Sequence, residues 1–121
     1  MIRVDHLTLP VSDCQVSRDW YVTSLGFTVE FENKEAATVA IQDDSGFTIF
    51  LQTAKATLAG EKCALTLQVE DVDHLHRRLA GTGMEFVNPP SRLFWGYGAE
   101  LADPDDYLIR LWDEVSMREK G

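Results

Sequence analysis

The hydrophobic and polar positions of the chain follow a pattern that occurs twice. Residues 4–13 have the sequence VDHLTLPVSD and residues 62–71 have the sequence KCALTLQVED, so that the tripeptide Leu-Thr-Leu returns 58 positions later. Both segments alternate apolar residues with polar or small ones, which is the period of a β-strand with two different faces. The repeat predicts two copies of one structural unit.

A helix is predicted after each of these two strands. In the first copy, Ser12 and Gln15 have the spacing of a capping box, and Val16 and Trp20 mark an apolar stripe. Gly26 is placed to end this helix. The second copy repeats the arrangement, with a capping aspartate at position 71, apolar residues at helical spacing and a glycine at position 81.

Three further strands are predicted in each copy. The last two in each copy flank a short polar turn, 43–46 in the first copy and 103–106 in the second, which is typical of a β-hairpin. The predicted strands are 27–31, 38–42 and 47–51 in the first copy, and 84–87, 97–102 and 107–111 in the second.

Each copy is therefore predicted to be a βαβββ module, and the fold class is α+β. A pseudo-twofold axis should relate the copies and bring their sheets together around a cavity. We expect one domain, residues 1–121, composed of module 1 (1–53), a linker (54–61), module 2 (62–115) and a tail (116–121).

Composition and charge limit the classes of function. The chain of 121 residues is 45% hydrophobic and 26% charged, which is typical of a globular domain. It contains no apolar run near the roughly 18 residues that span a membrane, and the two cysteines are too few for a disulfide framework. Because 20 acidic residues outnumber 11 basic ones, nucleic acid is not expected as a partner. The N-terminus lacks the apolar stretch of a secretory signal, so we expect a cytoplasmic protein.

Several short motifs resemble one known family, the vicinal oxygen chelate superfamily of glyoxalases, bleomycin resistance proteins and extradiol dioxygenases. The motifs are D-H-L-x-L-x-V-x-D at 5–13, W-Y at 20–21, L-G-F at 25–27, F-W-G at 94–96 and D-P-D at 103–105. The resemblance implies two βαβββ modules that form paired curved mixed sheets around a cavity. It also implies a homodimer, and it leaves open whether modules pair within one chain or between two.

The resemblance also assigns four metal-ligand positions, one on the first and one on the last strand of each module. His6 occupies the first position, but the other three are Ala64, Phe50 and Arg110. Alanine and phenylalanine carry no ligand atom, and a guanidinium repels a cation. Gln52 lies on the same strand face as Phe50 and adds one weak amide ligand. No metal or other cofactor is therefore expected.

Strand parity, anchored on His6, predicts which side chains face the cavity. Arg110 is among them, and a buried guanidinium requires either an acidic side chain or an anionic ligand as its partner. The segment 94–97 has three aromatic residues and a glycine and is a candidate lid. The predicted ligand-binding residues are His6, Thr8, Phe50, Gln52, Thr66, Gln68, Phe94, Trp95, Tyr97, Arg110 and Trp112.

These features favour a metal-independent protein that binds a small molecule, and that sequesters a drug or metabolite as bleomycin resistance proteins do. The expected ligand has an aromatic or apolar body and a negative or strongly accepting group near Arg110 and Trp95. Two enzymatic alternatives remain open. One is a glyoxalase-like metal-dependent lyase, isomerase or dioxygenase; the other is a metal-free enzyme with His6 as its catalytic acid or base.

Overall fold

A computed structural model describes residues 1–55 and 63–121. Contacts within the chain divide it into two compact units, Met1–Glu61 and Lys62–Gly121. The first unit contains β1 (His6–Val11), α1 (Cys14–Leu25), β2 (Thr28–Asn33), β3 (Thr38–Gln42) and β4 (Thr48–Thr53). The second contains β5 (Ala64–Gln68), α2 (Val72–Gly81), β6 (Asn88–Leu93), β7 (Gly96–Ala102), β8 (Leu108–Trp112) and α3 (Glu114–Lys120).

Each unit has one open four-stranded mixed sheet, and the two sheets have the same topology. The strand order is β1-β4-β3-β2 in the first unit and β5-β8-β7-β6 in the second. The first strand of each unit runs parallel to the last, while the other neighbours are antiparallel. A helix joins the first strand to the second in each unit, as a parallel crossover requires. The predicted βαβββ modules and the α+β class are confirmed. Most of the predicted linker 54–61 lies outside the described residues.

The core of each unit lies on one face of its sheet. α1 packs against β3 and β4, and α2 packs against β6 and β7. Alternate residues of the central strands are apolar and almost fully buried, as expected where a helix covers one sheet face. The buried core includes the strand residues Leu9, Val39, Ile41 and Leu51 in the first unit and Leu101, Ile109 and Leu111 in the second, together with Val72 and Leu79 of α2.

The N-terminus and the buried stripe of α1 differ from the prediction. Asp13, not Ser12, caps the helix, because its carboxylate accepts from the Gln15 backbone N–H at 2.9 Å. Val16 is 52% exposed, so the predicted stripe is wrong. The helix instead buries a stripe of small residues around one tyrosine: Cys14, Ser17, Tyr21 and Ser24. Gly26 ends the helix in the left-handed conformation, with φ of 74°, as predicted.

Two elements of the second unit also differ from the prediction. The predicted strand 84–87 is not formed, and β6 begins at Asn88. Pro89 and Pro90 are tolerated there because β6 is an edge strand, where an N–H can be missing without breaking the sheet. Residues of the predicted tail contribute to α3, which is capped by Asp113. None of the helices in the described ranges is long and apolar enough to cross a membrane.

Candidate functional site

Arg110 and Glu100 form an ion pair on the face of the second sheet that α2 does not cover. The antiparallel register places Glu100 of β7 directly opposite Arg110 of β8. The Arg110 Nε donates to Glu100 Oε2 at 2.9 Å, and the side chain of Arg110 is 26% exposed against 9% for Glu100. The partner that a half-buried guanidinium requires is therefore an acid of the same sheet.

Glu100 also accepts two further hydrogen bonds. Its Oε1 accepts from the Asn88 side-chain amide at 2.8 Å, and its Oε2 accepts from the Trp95 indole Nε1 at 3.2 Å. Burial acts to raise the pKa of Glu100, but the hydrogen bonds from Arg110, Asn88 and Trp95 outweigh it and lower the pKa. The group is therefore a fixed carboxylate that orients one cation and one aromatic ring.

Two glycines at the start of β7 make room for the neighbouring side chains. A Cβ on Gly98 would lie 2.3 Å from the Trp95 ring and 2.2 Å from the Leu111 carbonyl oxygen. A Cβ on Gly96 would lie 2.3 Å from the Met117 sulfur, and Gly96 has a φ of +131°. Because both positions lack a side chain, Trp95 and Met117 can lie directly on the backbone of β7.

Trp95, Arg110 and Met117 are among the residues that line a cavity of about 390 Å³. Its volume falls within the range of roughly 300–1,000 Å³ that is usual for small-molecule sites. Thr66 of β5 lies opposite Arg110 in the parallel register, and Trp112 follows two residues later on the same face of β8. The cavity thus has mostly apolar walls. Its two polar side chains, Thr66 and Arg110, lie on the neighbouring strands β5 and β8. It is lined by Thr66, Trp95, Arg110, Trp112 and Met117.

The predicted lid residues lie in three different environments. Trp95 lines the cavity, whereas Phe94 is 90% exposed with the Arg110 guanidinium carbon 5.3 Å from its ring centroid. Tyr97 lies on the other side of β7, where its hydroxyl donates to Asp73 of α2 at 2.8 Å. Burial and this hydrogen bond raise the pKa of Tyr97. Gln68, at the end of β5, is exposed and does not line the cavity.

The open face of the first sheet carries the remaining predicted residues. The His6 ring stacks on the Phe50 ring with centroids 4.0 Å apart, and Phe31 meets Phe50 edge-on at 5.6 Å. The Nδ1 of His6 is hydrogen-bonded to the Asp5 carboxylate at 2.8 Å. Thr8 lies opposite Phe50 in the register of β1 and β4. Gln52, two residues after Phe50 on β4, is exposed.

The residues at the four family metal-ligand positions do not fit a metal ion. His6 is the one usual ligand among them, because Phe50 carries no ligand atom and Arg110 is a permanent cation that already pairs with Glu100. Ala64, on β5, offers no ligand atom. Within residues 1–55 and 63–121, no group of three or more His, Cys, Asp or Glu side chains is placed to hold a metal ion.

Three residues of the cavity region are absent from the sequence-based prediction: Asn88, Glu100 and Met117. Glu100 is the one acid in the strand sequence GYGAELA, and a lone acid between apolar residues is a signal for a buried partner. Met117 belongs to α3, a seven-residue helix that the periodicity did not reveal. Asn88 comes directly after the predicted strand 84–87 and begins β6.

Known structures with this fold include proteins of several functions. An antibiotic-binding protein, TnmS3 of Streptomyces sp. CB03234, is 25% identical, with a TM-score of 0.78 over 93% of this chain and 96% of that one. A member of the Glyoxalase/bleomycin resistance protein/dioxygenase superfamily from Sphaerobacter thermophilus DSM 20745 is 26% identical. Its TM-score is 0.76, over 94% of this chain and 98% of that one. Lactoylglutathione lyase of Agrobacterium tumefaciens is 13% identical, with a TM-score of 0.74 over 93% and 94%.

Among curated protein sequences, none matches this chain significantly. The family model described as Glyoxalase/Bleomycin resistance protein/Dioxygenase superfamily matches residues 3–111. Since this match spans most of the sequence and the paired βαβββ topology agrees with it, the chain belongs to the Glyoxalase/Bleomycin resistance protein/Dioxygenase superfamily.

Proposed function

We propose that this protein binds a small molecule without a metal ion and that the cavity of the second sheet is its binding site. The observation that carries the proposal is the cavity of about 390 Å³ lined by two tryptophans, a methionine, a threonine and Arg110. Apolar and aromatic walls with a few placed polar groups are the usual composition of a ligand site.

The donor chemistry at the family metal positions supports metal independence. Of the four positions, His6 alone carries a side chain that commonly ligates divalent cations. Arg110 would place a permanent positive charge beside such an ion, and its pairing with Glu100 fixes it on the sheet. Binding and orientation of an organic ligand therefore depend on the protein's own side chains.

Sequestration of a drug or metabolite is the form of binding that we propose. TnmS3, an antibiotic-binding protein, has the same fold and is 25% identical to this chain. The likeness to lactoylglutathione lyase, at 13% identity, concerns the fold alone. A cavity without a catalytic cluster on its walls suits retention of a ligand better than its conversion.

A metal-free enzyme is the second candidate, and one contact favours it. The Asp5 carboxylate lies 2.8 Å from His6 Nδ1, and a carboxylate in this position can orient an imidazole for proton transfer. In this candidate, the open face of the first sheet, with His6, Thr8, Phe50 and Gln52, is the reactive surface. In the binding proposal, the same four residues form a second ligand-contacting surface.

We further propose that the protein acts in the cytoplasm as a homodimer. All six residues of the edge strand β2 are exposed, and Phe31 on this strand is 45% exposed. A symmetric partner that covers this edge strand would bury apolar side chains that are otherwise exposed to solvent.

A thermal-shift screen of aromatic small molecules, followed by a cavity-filling variant, tests the binding proposal. A ligand at about 100 times its Kd stabilises the folded state by about 2.7 kcal/mol, which a melting curve detects readily. Thr66→Phe should fill the cavity from its exposed edge strand and abolish the shift. Thr23→Phe, on the exposed side of α1, is the matched control and should leave the shift intact.

If the screen finds no ligand, or if Thr66→Phe binds every hit as the wild type does, the second-sheet cavity is not the binding site. Turnover of a hit, lost in His6→Ala while binding persists, would favour the enzymatic candidate instead.

A further inference from the structure

We infer that the cavity selects uncharged ligands over anionic ones, and that a neutral hydrogen-bond acceptor, such as a carbonyl or carboxamide oxygen, is the group that meets Arg110. The inference rests on the proposed function and names its ligand class. It narrows the sequence-based expectation, which allowed either a negative or a strongly accepting group.

The wall of the cavity at Arg110 carries no net charge. Arg110 is not an isolated cation, because Glu100 lies opposite it in register and bonds to its Nε at 2.9 Å. The pair has no net charge, and the Glu100 side chain is only 9% exposed. A ligand carboxylate at Arg110 would therefore lie close to a second, nearly buried carboxylate, and like charges at short range disfavour each other.

Arg110 retains hydrogen-bond donors that Glu100 does not use. A guanidinium has five N–H donors, and the contact to Glu100 involves the one on Nε. The hydroxyl of Thr66 lies across from Arg110 on the neighbouring strand. Both Glu100 oxygens already accept hydrogen bonds, from Asn88 on one side and from Trp95 and Arg110 on the other. The wall thus offers the remaining guanidinium donors of Arg110 and the Thr66 hydroxyl, which can donate as well as accept.

The Arg110 side chain is held in position by two contacts. The guanidinium is held by Glu100 and also lies 5.3 Å from the centroid of the Phe94 ring. Breaking the contact with Glu100 to favour an anion would leave a buried carboxylate with fewer donors, and Trp95 is bonded to the same oxygen. A neutral acceptor can use the free donors of Arg110 without disturbing this arrangement.

Calorimetric titration of two isosteric probes, 2-naphthamide and 2-naphthoate, into the full chain at neutral pH tests the inference. Both probes have the same two-ring body and differ in the charge of the substituent. We expect the wild type to bind 2-naphthamide about tenfold or more tightly than 2-naphthoate, the size expected for one unfavourable ionic contact.

Glu100→Gln removes the buried negative charge and leaves Arg110 uncompensated. In this variant the preference should reverse toward 2-naphthoate. Glu85→Gln removes an exposed carboxylate of the same unit, outside the cavity lining, and should keep the wild-type preference. Circular dichroism establishes that each variant is folded, and the wild-type ratio decides the question even where Glu100→Gln does not fold.

Equal or tighter binding of 2-naphthoate by the wild type would overturn the inference, as would an unchanged preference in folded Glu100→Gln. In both cases the cavity still binds a small molecule and the proposed function stands. If neither probe binds the wild type, the inference fails, because a neutral acceptor on an aromatic body is then not bound, and the thermal-shift screen decides the proposed function separately.

Discussion

The indole Nε1 of Trp95 donates a hydrogen bond to Glu100 Oε2 at 3.2 Å, and the same oxygen accepts from Arg110 Nε. One nearly buried carboxylate therefore fixes both an aromatic wall and the cationic group of the cavity. Because Trp95 lies only five residues before Glu100, the turn between β6 and β7 folds its side chain back over the strand that follows. The cavity is thus organised by local contacts within one hairpin and its neighbouring strand.

Gly98→Ala should destabilise the second unit. The new methyl group would lie 2.3 Å from the Trp95 ring and 2.2 Å from a backbone carbonyl, and backbone cannot move aside cheaply. We expect a loss of about 1–3 kcal/mol in the free energy of unfolding, measured by urea denaturation.

Gly81→Ala is the control for that substitution. Gly81 ends α2 with open space around its Cα, so alanine there should be neutral or slightly stabilising. Equal stability of the Gly98 and Gly81 variants would show that Trp95 does not pack against β7 as described.

Glu100 should make stability depend on pH in the acid range. Burial opposes its ionisation, but hydrogen bonds from Arg110, Asn88 and Trp95 lower its pKa below the ordinary value of 4.5. A group with a lowered pKa stabilises the folded state fully above its unfolded pKa, and this contribution is lost as the pH falls through the folded pKa.

The difference in unfolding free energy between wild type and Glu100→Gln is the quantity to measure. We expect the wild type to be more stable by about 1–3 kcal/mol near neutral pH, with a gap that narrows as the pH falls below about 4.5. A gap that stays constant down to a pH of about 3 would contradict this role of the carboxylate.

Asp113 joins the N-termini of two helices. One carboxylate oxygen accepts from the Val72 N–H of α2 at 2.8 Å, and the other accepts from the Ser116 N–H of α3 at 2.7 Å. Asp113→Ala removes both acceptors and should cost about 2 kcal/mol in urea denaturation, roughly the sum of two helix caps. Asp44→Ala, at an exposed turn, should be close to neutral. Similar losses in both variants would rule out this capping role.

Sedimentation equilibrium tests the homodimer. We expect a particle of twice the chain mass of 13.6 kDa at micromolar concentration, because exposed apolar side chains and the edge strand β2 favour a symmetric partner. A monodisperse particle of 13.6 kDa under these conditions would exclude it.

The fold follows from the sequence because strand periodicity and the internal repeat are strong local signals. Strand β3 was predicted with its exact bounds, 38–42, since apolar residues and a polar turn delimit it. The stripe of α1 was misplaced because small residues such as Ser17 and Ser24 are buried there, and they carry no hydrophobic signal. The helix α3 has only seven residues, too few for a clear period; Asp113 caps it through Ser116 and also caps α2 through Val72, a contact that sequence spacing does not indicate.

The site was predictable where strand parity decides the direction of a side chain. Parity places Thr66 and Arg110 on one face, and both line the cavity. The direction of Trp95 and Tyr97 depends on the turn before β7, so sequence spacing could not separate their environments. The pairing of Glu100 with Arg110 required the register of β7 and β8, which the sequence does not state.

Binding of 2-naphthamide to protein freed of metal tests the central claim most directly. Calorimetric titration is performed before and after exhaustive dialysis against EDTA, with the metal content of both samples measured by elemental analysis. A metal-independent site predicts the same Kd in both samples and no stoichiometric Ni, Zn, Mn or Fe in either. Loss of binding after dialysis, restored by one of these cations and abolished in His6→Ala, would contradict the account.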